Sequence, residues 1–589
     1  MKRHTRYSVA TSFTALGLTA ALLAGCSSTS GGASTAQAST VTAYSGKLDA
    51  DTVMADNNDY TTVNDDEYSV DDALDVTLSG TGATSDADGV TSEDGVVTIT
   101  EEGVYRLSGD LEGQVVVAAP DDAQVVLILD GVTITNSKGP AIEVRTADDA
   151  AIYLAKGSKN TVSDASSYDE DAEANAAIYS DSDLTISGTG SLTVKANGND
   201  GITSKNDLVI LSGTITVKAK DDALRGKDAL VVEGGTLNLT ASEGDGLKSD
   251  QEDDETKGYV YVTDGTITIE AGDDGIQSQT DTVITGGKIT AAAADDGVKG
   301  EKILSVADAT VTVTKSTEAM EAANIAIFSG TVDLAASDDG INASGNSDST
   351  DATTQDDAAQ GTEGAETSGT DSTASSTDTE PQADGDGQQP PAPDGEMPAG
   401  DQPPQDGQGQ DGQGGPGGGM AGGGGFADTG ERLEISGGTV TVNAEGDGLD
   451  SNGSLTITGG TTTVYGPTRG GNGSTDANGD FKITGGTLAS FGPGSMEVTP
   501  STEEDHASVL IQGVTIAEGQ EVKLQDADGN TVASATSKKA ATSFLFSSED
   551  ITSGEKYTLV IDGEEAGSAT ASTEASEEMG GMGQGGPSN

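Results

Sequence analysis

From Leu184 to Gly466 the chain alternates apolar and polar residues in short runs, most of them split by glycine: "LTISGTGSLTVKA", "LVILSGTITVKAK", "LVVEGGTLNLTA", "VITGGKITAAA", "LEISGGTVTVNA" and "LTITGGTTTVYG". Alternation rich in Val, Ile and Thr predicts strands with one face buried. None of the runs is long enough for a helix of ordinary length. A third, shorter run follows each pair, as in "GLKS" and "GIQS".

The third run opens on an acid-glycine step that repeats along the chain: "NDGITS", "DDALRG", "GDGLKS", "DDGIQS", "DDGVKG", "TEAMEA", "DDGINA" and "GDGLDS". The acids at its second position are Asp200, Asp222, Asp245, Asp274, Asp296, Glu318, Asp339 and Asp447, with successive spacings of 22, 23, 29, 22, 22, 21 and 108. The spacing of 29 contains the polar loop "DQEDDETKG", and the spacing of 108 contains a low-complexity insertion, residues 345–428. Without those 84 residues the last spacing falls to 24, so the repeat resumes nearly in phase. A period near 22 with three short strands fits one coil of a parallel β-helix, each apolar face stacking on the next. An antiparallel sandwich also uses short strands and glycine turns, but it would not require the same turn sequence in every repeat.

The pattern divides the chain. Residues 71–344 hold an irregular strand-rich cap and most of the repeats, 429–499 continue them, and 500–565 read as a small all-β unit. A polar tail, 566–589, ends the sequence. At the start, "MKRHTRYSVATSFTALGLTAALLAGC" places a basic segment before an apolar one and then a cysteine, which reads as a secretory signal, residues 1–25. "LAGC" resembles a bacterial lipobox, so Cys26 is expected to carry lipid and to hold the protein on the extracellular face of the cell membrane. Residues 26–70 read as a flexible stalk. Cys26 is the single cysteine, so no intrachain disulfide is possible.

Charge then narrows the partners. Asp and Glu number 99 against 28 Lys and Arg, a net charge of −71. Nucleic acid, held through clustered basic residues, is excluded as a partner. Cations are favoured, as are polyanions reached through bridging cations. The histidines are His4 and His506, which argues against zinc sites and Ser-His-Asp chemistry.

In stacked strands the repeated acids would form a row about 4.8 Å apart. Neighbouring charges at that distance repel by about 3.5 kcal/mol at the effective dielectric of a protein surface. Three things could offset this. Asp before Gly accepts backbone N–H bonds of its corner. Basic residues three positions on, Arg225, Lys248 and Lys299, could neutralise their own coils, whereas Gln277, Asn342 and Asp450 could not. A hard cation such as Ca²⁺ takes six to eight oxygens, and doubled acids supply them. The candidate ligands are Asp200, Asp221, Asp222, Asp245, Asp273, Asp274, Asp295, Asp296, Asp338, Asp339 and Asp447. Arg225, Lys248, Gln277, Lys299 and Asn342 are the candidate carbohydrate contacts.

The segments "YRLSGDLEGQVVV", "LDGVTITNSKGPAIEV", the repeated acid-glycine step and "SFLFSSEDITSGEKYTLVIDG" together resemble the bacterial carbohydrate-binding domain-containing proteins, over residues 71–563 apart from the insertion. The resemblance implies a right-handed β-helix with Ca²⁺ among the coils and binding of an acidic polysaccharide such as polygalacturonate. Three functions remain open at this point: a non-catalytic surface binder, a Ca²⁺-dependent pectate-type lyase using Arg225, Lys248 or Lys299, and a structural spacer or adhesin.

Overall fold

A computed structural model describes residues 44–169, 172–345 and 428–575. Cys26, the signal, most of the insertion and the end of the tail lie outside the described residues. The protein is all-β, with one short α-helix among the described residues, α1 (Ala50–Asp56), and long parallel sheets.

Each repeat contributes three strands; those of the first two kinds pair in parallel with their equivalents one repeat later, and those of the third kind do so in two successive ladders that break between Ile276–Ser278 and Val298–Lys299. The first kind runs through Asp207–Ile210, Ala229–Val232 and Tyr259–Val262, and the second through Thr214–Ala219, Thr236–Ala241 and Thr266–Ala271. The third begins at the acid-glycine step or directly after it, as in Asp200–Ser204, Leu224–Gly226, Leu247–Ser249 and Ile276–Ser278. Register holds because a slip of one residue would turn every apolar side chain to solvent. Leu208, Leu230, Val260, Thr282, Leu304, Ile325, Leu433 and Leu455 stand opposite one another in succession. Thr282 is the polar member, and its buried hydroxyl donates to Lys299 O at 2.7 Å. The insertion leaves this order intact, since Ile325 pairs with Leu433 and Asn342 with Asp450 across it.

Both ends are closed. Leu74–Gly80 pairs with Gly103–Glu112 and folds back on Gly82–Ser85. At the other end, Thr487–Gly492 pairs antiparallel with Ala541–Ser547, which ends the parallel ladder. The stacked rings of Tyr465 and Phe491, 5.4 Å apart, and the tilted ring of Phe544 beyond them join that end to a four-stranded antiparallel sheet.

From Tyr44 onward, the stretch expected to be a stalk packs as a strap across the outer face of the first-strand ladder. Arg432 donates to Tyr44 O and Gly46 O at one end, and Arg106 to Val70 O at the other. Between them Leu48 and Val53 bury against Val283, Ile303 and Ala326, while Val63 buries against Val126, Ile128 and Ala151. The composition suggested a linker because the strap's apolar residues are sparse. Leu48, Val53 and Val63 nevertheless find outward-facing apolar partners on the ladder.

Candidate metal centre

The acid corners stack, and a specific hydrogen bond joins them. Glycine N–H groups donate to the acid carbonyl of the next repeat, as Gly246 N to Asp274 O at 2.9 Å and Gly275 N to Asp296 O at 2.8 Å. At three successive corners the N–H of the acid is then taken by the carboxylate one repeat before: Asp245 N by Asp222, Asp274 N by Asp245 and Asp296 N by Asp274, at 2.8–2.9 Å. Asp447 N donates to Asp339 Oδ1 in the same way at 2.6 Å. The expectation that each carboxylate serves its own corner is therefore corrected. It serves the next corner, because that is where an N–H is left without a main-chain partner.

Basic residues neutralise part of the column. Lys248 lies 2.8 Å from Asp245 and 3.4 Å from Asp222. Lys299 lies 3.0 Å from Asp296 and 2.7 Å from Glu321. Arg225 departs from expectation. It pairs with Asp200 of the preceding repeat at 3.7 Å and with Asp250 of the polar loop, not with Asp222 of its own repeat. Asp200 is further held by the Thr203 hydroxyl at 3.0 Å.

Burial sets the electrostatics. It pushes Asp222 up to about 7 against the pull of Lys248. Asp274 rises to about 8, through burial and then through Asp296 and Asp245. Beyond the insertion, Asp447 and Asp450 each rise to about 7, through burial first, with Asp339 and Asp476 adding repulsion. Glu318 rises to about 8 through burial and then Glu321. A column that raises so many carboxylates favours either protonation or a cation.

Three observations fit a hard cation. First, carboxylate oxygens gather in three groups, each within 4.8 Å: Asp245, Asp273 and Asp274; Asp274, Asp295 and Asp296; and Asp296, Glu318 and Glu321. Secondly, glycines leave room for oxygens. A Cβ on Gly244 would meet Asp221 Oδ1 at 2.4 Å and Asp222 Oδ1 at 2.6 Å, and one on Gly446 would meet Asp339 Oδ1 at 2.3 Å and Asp338 Oδ1 at 2.4 Å. Thirdly, Gln277 and Asn342, at the third position after the acid, hold buried side-chain carbonyl oxygens with no hydrogen-bond partner. Carboxylate and amide oxygens are the donors that Ca²⁺ prefers.

The candidate ligands therefore separate. Asp245, Asp273, Asp274, Asp295 and Asp296 converge. Asp221 and Asp222 crowd one glycine cradle, and Asp338 and Asp339 crowd another. Asp338–Asp339 is set apart from the other doubled acids by the repeat that carries Glu318. Asp200 belongs to none of the three groups, and the Asp447 carboxylate is taken by Gly473 N. Glu318 and Glu321 join the third group, which sequence reasoning did not foresee; both occupied repeat positions where an acid was visible, but the longer side chain disguised them. A second acidic row, Asp183, Asp207 and Asp281, was missed outright. It lies under the strap, where Asp207 accepts from Thr61 N and Asp281 from Asn57 Nδ2, both at 2.8 Å.

Comparison with known proteins gives this column a context. Residues 93–295 match the model of the carbohydrate-binding domain-containing protein family. A protein of that description from Acetivibrio thermocellus is 38% identical over 196 residues, which are 32% of this chain and 68% of the relative. The chain belongs to the carbohydrate-binding domain-containing protein family. Among solved structures, a gadolinium derivative of the polysaccharide lyase-like protein from C. thermocellum is 36% identical, covering 41% of this chain and 94% of that one, with a TM-score of 0.36.

Proposed function

We propose that the protein is a non-catalytic, surface-tethered binder of acidic polysaccharide, of which polygalacturonate is the type, and that Ca²⁺ held by the aspartate column bridges protein to glycan. The stacked repeats are taken as coils of a right-handed parallel β-helix, and Cys26 as the lipid attachment that keeps them on the extracellular face of the membrane. The observation that carries the reading is the convergence of Asp245, Asp273, Asp274, Asp295 and Asp296 within 4.8 Å groups, in or beside the stretch that matches the family. These residues would hold the ion. Bound there, Ca²⁺ supplies coordination sites that carboxylates from both partners can share. Without it, the net charge of −71 opposes the approach of a polyuronate chain and weakens its retention.

The basic residues support binding over lyase chemistry. A base that removes a proton must be free to accept one. Lys248 and Lys299 are each clamped between two carboxylates, and although burial pulls their pKa values down, those carboxylates outweigh it and hold both above the ordinary lysine value. Polygalacturonate beads with and without chelator test the proposal. Retention should depend on Ca²⁺; equal retention in both removes the bridge, and release of unsaturated products absorbing in the near ultraviolet removes the non-catalytic reading.

A further inference from the structure

Two of the motifs that mark the family resemblance play no part in the aspartate column. They meet at one place. "YRLSGDLEGQVVV" brings Glu112, Gly113 and Gln114, and "LDGVTITNSKGPAIEV" brings Thr135–Pro140 and Glu143, to the wall of a cavity of about 730 Å³ in the first repeats. Arg145 and the turn at Asp94–Gly95 complete it. The cavity continues the row on which the column's third positions stand, since Glu143 pairs with Tyr179, Tyr179 with Thr203, Thr203 with Arg225 and Arg225 with Lys248.

The wall is organised around Glu143. Its carboxylate accepts from Gln114 Nε2 at 2.7 Å, and from Arg145 Nε at 2.9 Å and Nη2 at 2.8 Å. This fixes the guanidinium plane and leaves its Nη1 edge without a partner among the described residues. Across the wall, Asn136 stiffens the turn that carries Lys138. Its amide donates to Pro140 O at 2.7 Å and its Oδ1 accepts from Lys138 N at 3.1 Å. Lys138 itself is exposed and forms no ion pair among the described residues, in a chain with 99 acids. The free edge of an oriented guanidinium and an unpaired ammonium are the donors that recognise a carboxylate. Asp94 and Glu112 are exposed at the rim and suit sugar hydroxyls as acceptors. Charges farther away than about 8 Å are largely screened at physiological salt.

We infer that this cavity is a separate, ion-independent saccharide subsite, in which Lys138 and Arg145 take the carboxylate of one uronate residue. The inference rests on the acidic-glycan reading but not on the metal. Its test is titration of trigalacturonate in 0.15 M salt with excess EDTA. Wild type should bind, Lys138→Ala and Arg145→Gln should each weaken binding about 10-fold, and Lys138→Arg should restore it. Neutral galactotriose should bind about 10-fold more weakly than the uronate. An Asp274→Asn/Asp296→Asn protein, which breaks the metal column, should bind trigalacturonate in EDTA as wild type does. Absence of wild-type binding in EDTA, unchanged affinity in Lys138→Ala (an exposed residue whose loss leaves the fold intact), or equal affinity for the neutral sugar would each overturn the subsite. None of those outcomes bears on Ca²⁺-dependent retention of the polymer, so the two readings fail separately.

Discussion

The aspartate column has two halves that solve one problem differently. In repeats from Asp200 to Asp245, the third position after the acid is Thr203, Arg225 or Lys248, and the basic side chains sit directly on the carboxylates. From Asp339 to Asp447 the same position is Asn342 and then Asp450, and no ion pair reaches the acids of that row among the described residues. The backbone ladder is the same in both halves, down to the carboxylate that takes the next repeat's N–H. What differs is whether the cation is built in. A single position can therefore add or remove a cationic side chain without altering the corner.

The largest expected effect comes from removing a built-in cation. Lys248→Met leaves Asp222 and Asp245 buried without their partner, and should cost about 3 kcal/mol in urea unfolding with chelator present. Supplying a cation where none exists is the converse. Asn342→Lys should stabilise the chelated protein by about 1 kcal/mol and reduce the gain in Tm that Ca²⁺ gives. Neutralising an acid instead, by Asp450→Asn, should stabilise the chelated protein by less than about 1 kcal/mol, and the same change at Asp228, which Lys257 already pairs, should not.

The smallest expected effect is a shift with pH. Asp274 near 8 and Asp447 and Asp450 near 7 hold protons more tightly folded than unfolded, where a carboxylate titrates near about 4. Their protonation therefore favours the fold below about 4 and the benefit is lost as pH rises through 7 to 8. In chelator, Tm should fall by a few degrees between pH 5 and pH 8, and saturating Ca²⁺ should flatten that slope.

The repeat was legible because its period is short and its apolar positions alternate. Leu208 and Leu230 announce the same column whether read as text or as a ladder. The acid row was legible for the same reason. Its bonding was not, because which N–H a carboxylate takes depends on which N–H the ladder leaves over, and that is set by the next repeat. Arg225 illustrates the limit further: its partner Asp250 comes from a loop whose path no periodicity fixes. The strap was least legible of all, since Val53 and Val63 bury against residues scores to hundreds of positions away.

That strap has a consequence for how the chain is made. Tyr44 leaves the ribosome early, yet the guanidinium that donates to its carbonyl belongs to Arg432, 388 residues later. Repeats can settle one upon another as they emerge, each needing only its predecessor. The strap must wait, unpaired, until the ladder beneath it is long enough to receive it. Docking along that face is thus a closing event, and an interrupted synthesis would leave the apolar outer face of Val283, Ile303 and Ala326 uncovered and prone to association.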